Sequence, residues 1–267
     1  MHKERHVFCG TLASSEKAAD KAAVSLNTFG TNQNINLKIA DIHQRLGANM
    51  RDEFFDLLEI AAYLFAADQA CSRGGQGVRD YGQGWHRSFC FHIPVRVPEL
   101  WKSKTLLAEL TNTLSFLTDD NYTFEFSHYP KESQPPIPTY FDFASAPALG
   151  AEPVSAIPFS GGLDSLAGAI EEAVGQQRSI ALVSHRPVSK IDSRQQNLVR
   201  QLRKLTNVPI YHVPIWVNKD SAESHDYTQR SRSFLFASLA AVVARLFGLQ
   251  GIRFYENGIV SINPPLK

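Results

Sequence analysis

The chain has 267 residues, 43% of them hydrophobic and 20% charged, which is typical of a globular protein with one large domain or two ordinary ones. Its 27 basic residues nearly balance its 26 acidic ones, so net charge does not predict nucleic-acid binding, although a local basic groove stays open. No apolar run reaches membrane-spanning length and no signal peptide is evident, so we expect a cytoplasmic protein without a membrane segment.

The first half of the chain predicts an α+β accessory domain, residues 1–150. The first fifty residues have weak periodicity and are interpreted as extended and loop structure. Further along, apolar spacing predicts an amphipathic helix over 50–70, a strand over 89–97, a helix over 101–117 and a strand over 123–129.

Nothing in the sequence spacing of the histidines and cysteines of this half predicts a metal site. Cys9, Cys71 and Cys90 are too far apart for a zinc knuckle or a redox pair, so we expect reduced thiols. The histidines also lack ligand spacing and are interpreted as structural; they are His2, His6, His86 and His92.

A proline-rich segment, residues 130–153, separates this half from the rest of the chain. Such a density of proline is incompatible with a regular helix or a central strand and is typical of a linker or an extended wrap. We therefore predict a domain boundary near residue 150, with a second domain over 151–267.

The second half alternates short apolar strands with helices. Strands are predicted over 154–159, 179–184, 210–213 and 252–256, and helices over 165–174, 194–205 and 232–247. This alternation predicts an α/β fold with a parallel sheet and helices on both faces. Ligands of such sheets bind beyond the carboxyl ends of the strands, which is where the loop Ser-Gly-Gly-Leu-Asp-Ser falls.

That loop, residues 160–165, has the residue types of an anion cradle. Gly161 and Gly162 leave their backbone amides bare, and Ser160 and Ser165 add hydroxyl donors. The following helix directs its partially positive N-terminus at the same point. The loop is neither a Walker A motif nor a dinucleotide fingerprint, so the prediction is a phosphate site of another kind.

Asp164 is the unusual member of this loop, because a carboxylate repels phosphates unless a cation lies between them. A magnesium ion bridging Asp164 and bound phosphates removes the repulsion. The alternative is that Asp164 caps the N-terminus of the helix, a position for which aspartate is preferred.

The loop resembles the SGGxDS signature of the PP-loop ATP pyrophosphatases. The resemblance implies an adenine nucleotide alpha hydrolase-like fold, with ATP and Mg²⁺ as cofactors. It also implies that Ser160, Gly161, Gly162, Leu163, Asp164 and Ser165 hold the pyrophosphate end of ATP.

The segment QRSRSFLFASLAAVVARLFG resembles a helix of the 7-cyano-7-deazaguanine synthase (QueC-like) branch. Arg232 and Phe236 occupy the matching arginine and phenylalanine positions, Ser233 replaces an asparagine, and Arg230 lies just outside the match. Either arginine can neutralise charge as pyrophosphate leaves, so both are candidate catalytic residues with Asp164. The alternative is a pair of solvated arginines at the helix start.

Two further pairs of residues are expected at the nucleotide or substrate pocket. Ser184 and His185 end the second predicted strand, where a surface-loop histidine is the alternative. Glu256 and Asn257 follow the fourth predicted strand, where the alternative is an ordinary Asn-Gly turn.

The chain resembles most the QueC-like proteins of bacterial anti-phage defence islands (QatC type), strongly over residues 154–263 and weakly before them. The resemblance implies an enzyme that activates a deazapurine carboxylate as an adenylate, with other proteins of a defence operon as partners; a homo-oligomer stays open. The zinc-binding cysteines of the synthases have no counterpart after Cys90, so we expect that the C-terminal part of the family's domain is missing. The alternatives are a PP-loop ligase acting on tRNA or another acceptor, and a non-catalytic nucleotide-binding scaffold subunit.

Overall fold

The computed structural model describes residues 4–14, 23–30, 32–39, 50–73, 86–130, 152–186, 189–219 and 230–256. Two four-stranded sheets organise these residues. The first sheet contains β1 (Arg5–Cys9), β2 (Val24–Leu26), β4 (Ser88–Val95) and β5 (Asn121–His128). The second contains β3 (Ile35–Ile39), β6 (Ser155–Pro158), β7 (Ile180–His185) and β8 (Ile210–Lys219).

Six α-helices accompany the sheets in this part of the chain. They are α1 (Asp52–Ala70), α2 (Pro98–Trp101), α3 (Lys104–Thr118), α4 (Leu163–Ile170), α5 (Ser189–Leu205) and α6 (Arg232–Leu246). None of these helices combines the length and the apolar character that crossing a bilayer requires.

The first sheet has the strand order β2-β1-β4-β5, and all its strands are parallel. The prediction of an α+β arrangement for this half was therefore wrong, because parallel neighbours need crossover connections rather than hairpins. Helix α1 lies between β1 and β4 along the chain, and α2 and α3 lie between β4 and β5. This half is α/β.

The second sheet has the order β3-β8-β7-β6, in which β6, β7 and β8 are parallel as predicted. The edge strand β3 departs from the prediction, because it comes from the first half of the chain and pairs antiparallel with β8. The predicted strand over 252–256 is reduced to one parallel bridge between Ala156 and Ile252. That bridge continues the sheet beyond β6.

Both faces of the second sheet are covered by helices, as the alternating pattern predicted. On one face, Ile157 and Leu182 pack with Val199 and Leu202 of α5. On the other face, strand residues such as Val183 join the large cluster that includes α1 and α6. Consecutive strand residues point to opposite faces, so β7 contributes to both cores.

The helix predicted over 50–70 is present as α1, but it is buried over most of its length instead of having one exposed polar face. It packs against α6 and against strands of both sheets, and every residue from Leu58 to Asp68 is buried. Its buried acids are paired: Asp56 and Glu59 bind Arg96, with oxygen-to-nitrogen distances of 3.0 and 2.7 Å. The two halves of the chain thus share one core, while most of the predicted linker, residues 131–151, lies outside the described residues.

Candidate functional site

The loop between β6 and α4 has the backbone that its glycines predict. Gly161 has a φ of +75°, in the left-handed region that other residues rarely adopt. A Cβ at Gly161 would also lie 3.2 Å from Cγ of Gln195. The left-handed φ therefore favours glycine at this position, and Gln195 would have to move slightly to admit a larger residue.

Hydrogen bonds within the loop fix its serines. The amide of Gly162 donates to Oγ of Ser160 at 3.2 Å, and Oγ of Ser165 donates to the carbonyl of Gly162 at 3.1 Å. The two serine hydroxyls are 3.2 Å apart, so they face the same point. Gly162 is the N-cap of α4, and no side chain makes a capping hydrogen bond. The alternative in which Asp164 is the N-cap was therefore wrong, since Asp164 is an exposed residue of the first turn.

Gln195 holds the loop to the neighbouring strand. Its Nε2 donates to the carbonyl oxygens of Ser160 and His185, both at 3.2 Å. The residue Gln195 is only 1% exposed. It thereby ties the residues that follow β6 to the end of β7. Gln195 could not be identified from the sequence, because a glutamine within the polar sequence of α5 has no signal that distinguishes it from a solvated one.

The segment 252–256 is anchored against α4. The amide of Arg253 donates to the carbonyl of Ala156 at 2.9 Å, which continues the bridge at Ile252. The ring of Tyr255 lies directly on Gly168, where an added Cβ would be only 2.2 Å from it. The hydroxyl of Tyr255 donates to Oε1 of the buried Glu172 at 2.7 Å.

These anchors hold Glu256 in the electrostatic field of two other predicted site residues. Burial raises the pKa of Glu256, the charge of Asp164 raises it further, and the charge of Arg232 opposes both. Desolvation lowers the pKa of Arg232 from its ordinary value, and Glu256 opposes that shift. Asp164, Arg232 and Glu256, which belong to three separate segments, therefore lie within electrostatic range of one another, whereas Asn257 lies outside the described residues.

The start of α6 is fixed by a residue of α1. The amide and the hydroxyl of Ser231 donate to Oδ2 of Asp68 at 3.0 and 2.7 Å. The other carboxylate oxygen of Asp68 accepts from Arg87 at 2.5 Å, within a buried network that also includes Asp120. Since Ser231 lies between Arg230 and Arg232, the first half of the chain positions both predicted arginines.

Ser184 and His185 lie inside the core, with 0% and 1% of their surface exposed. Nε2 of His185 donates to the carbonyl of Val217 at 2.5 Å, and its ring packs edge-on against Phe65 and Phe236. Burial lowers the pKa of His185 to about 4, so the ring is neutral at physiological pH. Nδ1 of His185 is buried without a hydrogen-bond partner, which leaves an unpaired acceptor at this end of β7.

A separate basic cleft of about 460 Å³ lies beside α5, where the sequence left a local basic groove open. Its basic lining residues are Arg186, Arg200, Arg203 and His212. Arg186 stacks on Trp216, with its guanidinium 4.5 Å from the ring centre, and pairs with Asp192. The SGGLDS loop contributes no residue to this cleft.

Comparison of the chain with protein-family models, with curated proteins and with solved structures found no match in any of the three. What the site can do follows from its own residues. A glycine loop at a helix N-terminus suits a polyphosphate, two carboxylates suit a hard cation, and a desolvated arginine suits negative charge that develops during a reaction.

Proposed function

We propose that the chain is an ATP-dependent adenylating enzyme that binds the pyrophosphate end of ATP at residues 160–165. The observation that carries the proposal is the left-handed Gly161, which lies between the carboxyl end of β6 and the N-terminus of α4. A glycine turn at this position leaves room for an anion beside the backbone, and the helix dipole favours negative charge at the same point. The SGGxDS resemblance supports ATP as the anion.

In this proposal Asp164 and Glu256 would hold the Mg²⁺ that accompanies ATP. Their mutual repulsion, which contributes to the raised pKa of Glu256, is relieved when a divalent cation lies near both carboxylates. Magnesium prefers oxygen ligands and keeps several waters, so one or two carboxylates together with phosphate oxygens are sufficient. The cation supplies charge neutralisation for the leaving pyrophosphate.

The reaction proposed is adenylyl transfer to a carboxylate. A carboxylate oxygen of the substrate attacks the α-phosphorus of ATP, and the bond from that phosphorus to the bridging oxygen breaks. Pyrophosphate leaves with the electron pair, and the product is an acyl adenylate. The loop amides and the Ser160 and Ser165 hydroxyls hold the leaving group, and Arg232 stabilises charge in the transition state.

The substrate class rests on the QueC-like resemblance, which supports a deazapurine carboxylate in an anti-phage defence system. Two other functions compete with this one. A PP-loop ligase acting on tRNA would use the same ATP chemistry with another acceptor. A scaffold subunit would bind ATP without releasing pyrophosphate.

The test follows pyrophosphate release from ATP and Mg²⁺ with and without 7-carboxy-7-deazaguanine. We expect substrate-dependent release, and we expect Asp164→Asn to lower it by roughly 100-fold, the scale of losing one transition-state electrostatic contact. Asp52→Asn is the matched control, because Asp52 is also an exposed aspartate in the first turn of a helix.

Each competing function has its own result. Release that requires tRNA instead of the deazapurine favours the ligase. ATP binding without release, in the parent and in Asp164→Asn alike, favours the scaffold. Equal turnover in Asp164→Asn and the parent contradicts the role assigned to this carboxylate.

A further inference from the structure

Two histidines and a cysteine meet on one face of the first sheet. In the register of β1 and β4, His6 lies opposite Cys90, and His92 follows two residues along the same strand. Residues two apart on a strand point to the same face. Their nitrogen and sulphur donor atoms all lie within 4.8 Å of one another.

The distances between these donors are those of a metal coordination sphere. Nδ1 of His6 is 3.0 Å from Nε2 of His92, and Sγ of Cys90 is 3.6 Å from the same Nε2. In tetrahedral zinc sites the bonds are about 2.0–2.1 Å to nitrogen and 2.3 Å to sulphur, which places two nitrogens about 3.3 Å apart and a nitrogen and a sulphur about 3.6 Å apart. Small side-chain movements suffice to admit the ion.

Each histidine also has a carboxylate near its outer nitrogen, at hydrogen-bonding distance for His92 and farther away for His6. Nδ1 of His92 is 2.9 Å from Oε2 of Glu125, and Nε2 of His6 is 4.0 Å from Oε2 of Glu4. A histidine that donates its outer N–H to a carboxylate keeps the lone pair of its other nitrogen for a metal, which is the usual arrangement around zinc. Here the inner nitrogens are the two that face each other.

The surroundings of the cluster favour a cation. Phe8 stacks on the ring of His92, with centroids 4.4 Å apart, and so fixes its plane. Burial, together with the charges of Glu125 and Glu4, raises the pKa of the Cys90 thiol to about 11. A bound divalent ion reverses this preference, because metals bind the thiolate and displace its proton.

We propose that His6, Cys90 and His92 bind a zinc ion, with Glu4 and Glu125 as outer carboxylates. Zinc binds both imidazole and thiolate ligands and is found with three protein ligands and one exchangeable position, whereas the same set of two imidazoles and one thiolate also occurs in copper sites. About half of the His6 side chain is exposed, so water reaches the fourth position. This site is independent of the proposed ATP chemistry and of the C-terminal zinc cysteines of the synthases.

The test is zinc binding by the full chain after removal of metals with a chelator. A competition titration with a chromophoric zinc indicator should give one ion per chain, and Co²⁺ should give the near-ultraviolet thiolate-to-metal band. Cys90→Ser should abolish that band, and Cys90→Ser and His92→Gln should each weaken zinc binding by at least about 100-fold. Cys71→Ala is the matched control, since Cys71 is another buried cysteine that forms no disulfide.

Three results would overturn the proposed zinc site. Zinc binding that is equally tight in Cys90→Ser, His92→Gln and Cys71→Ala overturns it, provided that all variants unfold at the parent's temperature. Absence of stoichiometric binding by the parent overturns it as well. Tight binding of Cu²⁺ together with failure of zinc to bind overturns the zinc assignment.

Glu125→Gln, which leaves the three ligands in place, should weaken zinc binding by about 10–100-fold.

Discussion

Replacing Gly168 with alanine tests how the segment 252–256 is held beside the candidate site. The added Cβ would lie 2.2 Å from the ring of Tyr255, so the ring must move by more than about 1 Å to reach ordinary van der Waals contact. Such a movement breaks the 2.7 Å hydrogen bond from Tyr255 to Glu172. A hydrogen bond to a charged group contributes about 1.5–3 kcal/mol, and alanine returns up to about 1 kcal/mol through its helix propensity.

We therefore expect Gly168→Ala to lower the free energy of unfolding by about 1–2 kcal/mol and the melting temperature by about 2–8 °C. Because Glu256 follows Tyr255, we also expect weaker Mg²⁺-ATP binding by isothermal titration calorimetry. Gly251→Ala is the control, since a Cβ there meets open space. The double variant Gly168→Ala/Tyr255→Ala should bind no worse than Tyr255→Ala alone. If Gly168→Ala matches Gly251→Ala in both measurements, Tyr255 does not anchor this segment through Gly168.

Two further predictions concern buried groups. Asp68→Asn breaks the buried ion pair with Arg87 and weakens the hydrogen bonds to Ser231. It should lower the free energy of unfolding in urea by about 3–5 kcal/mol and speed amide hydrogen exchange at the start of α6. Unchanged exchange at that position would contradict the anchoring role of Asp68. Burial holds the pKa of His185 and of His212 at about 4, below the ordinary value of 6.5. Between pH 6.5 and pH 4 the unfolded chain therefore binds more protons than the folded one, so the stability of the fold decreases as the pH is lowered through this range. Each histidine should lower the free energy of unfolding by about 2 kcal/mol at pH 5 relative to pH 7. In His212→Gln the loss of stability between pH 7 and pH 5 should be smaller by the contribution of His212. An equal loss in the parent and the variant would contradict this role of His212.

The sequence predicted those parts of the site that depend on local backbone chemistry. The two glycines between serines required a tight turn before a helix, and Gly161 adopts the left-handed conformation that this turn needs. The alternation of strands and helices after residue 153 predicted β6, β7 and β8 in parallel, with helices on both faces. These features are local because propensity, glycine geometry and periodicity act within a few residues.

The sequence could not predict pairings between distant segments. Helix α1 has the spacing of an amphipathic helix, yet its acids are buried because Arg87 and Arg96 of the β4 region reach them. The strand over 252–256 was predicted from its apolar residues, but side-chain anchors to Glu172 hold it more than sheet pairing does. Such partners are separated by tens of residues along the chain, so the periodicity of a single segment cannot predict them.

The same limit explains the cluster of His6, Cys90 and His92. Along the chain, His6 is more than eighty residues from the other two, so the spacing rules for metal ligands excluded it. Parallel pairing of β1 with β4 places His6 opposite Cys90, and the pleat turns His92 to the same face. The sequence by itself thus determined the glycine turn before α4 and the order of β6, β7 and β8 with their helices, because both depend on neighbouring residues. Only the tertiary structure decided which distant side chains surround that loop and which ones meet on the first sheet, because strand register and helix packing bring them together.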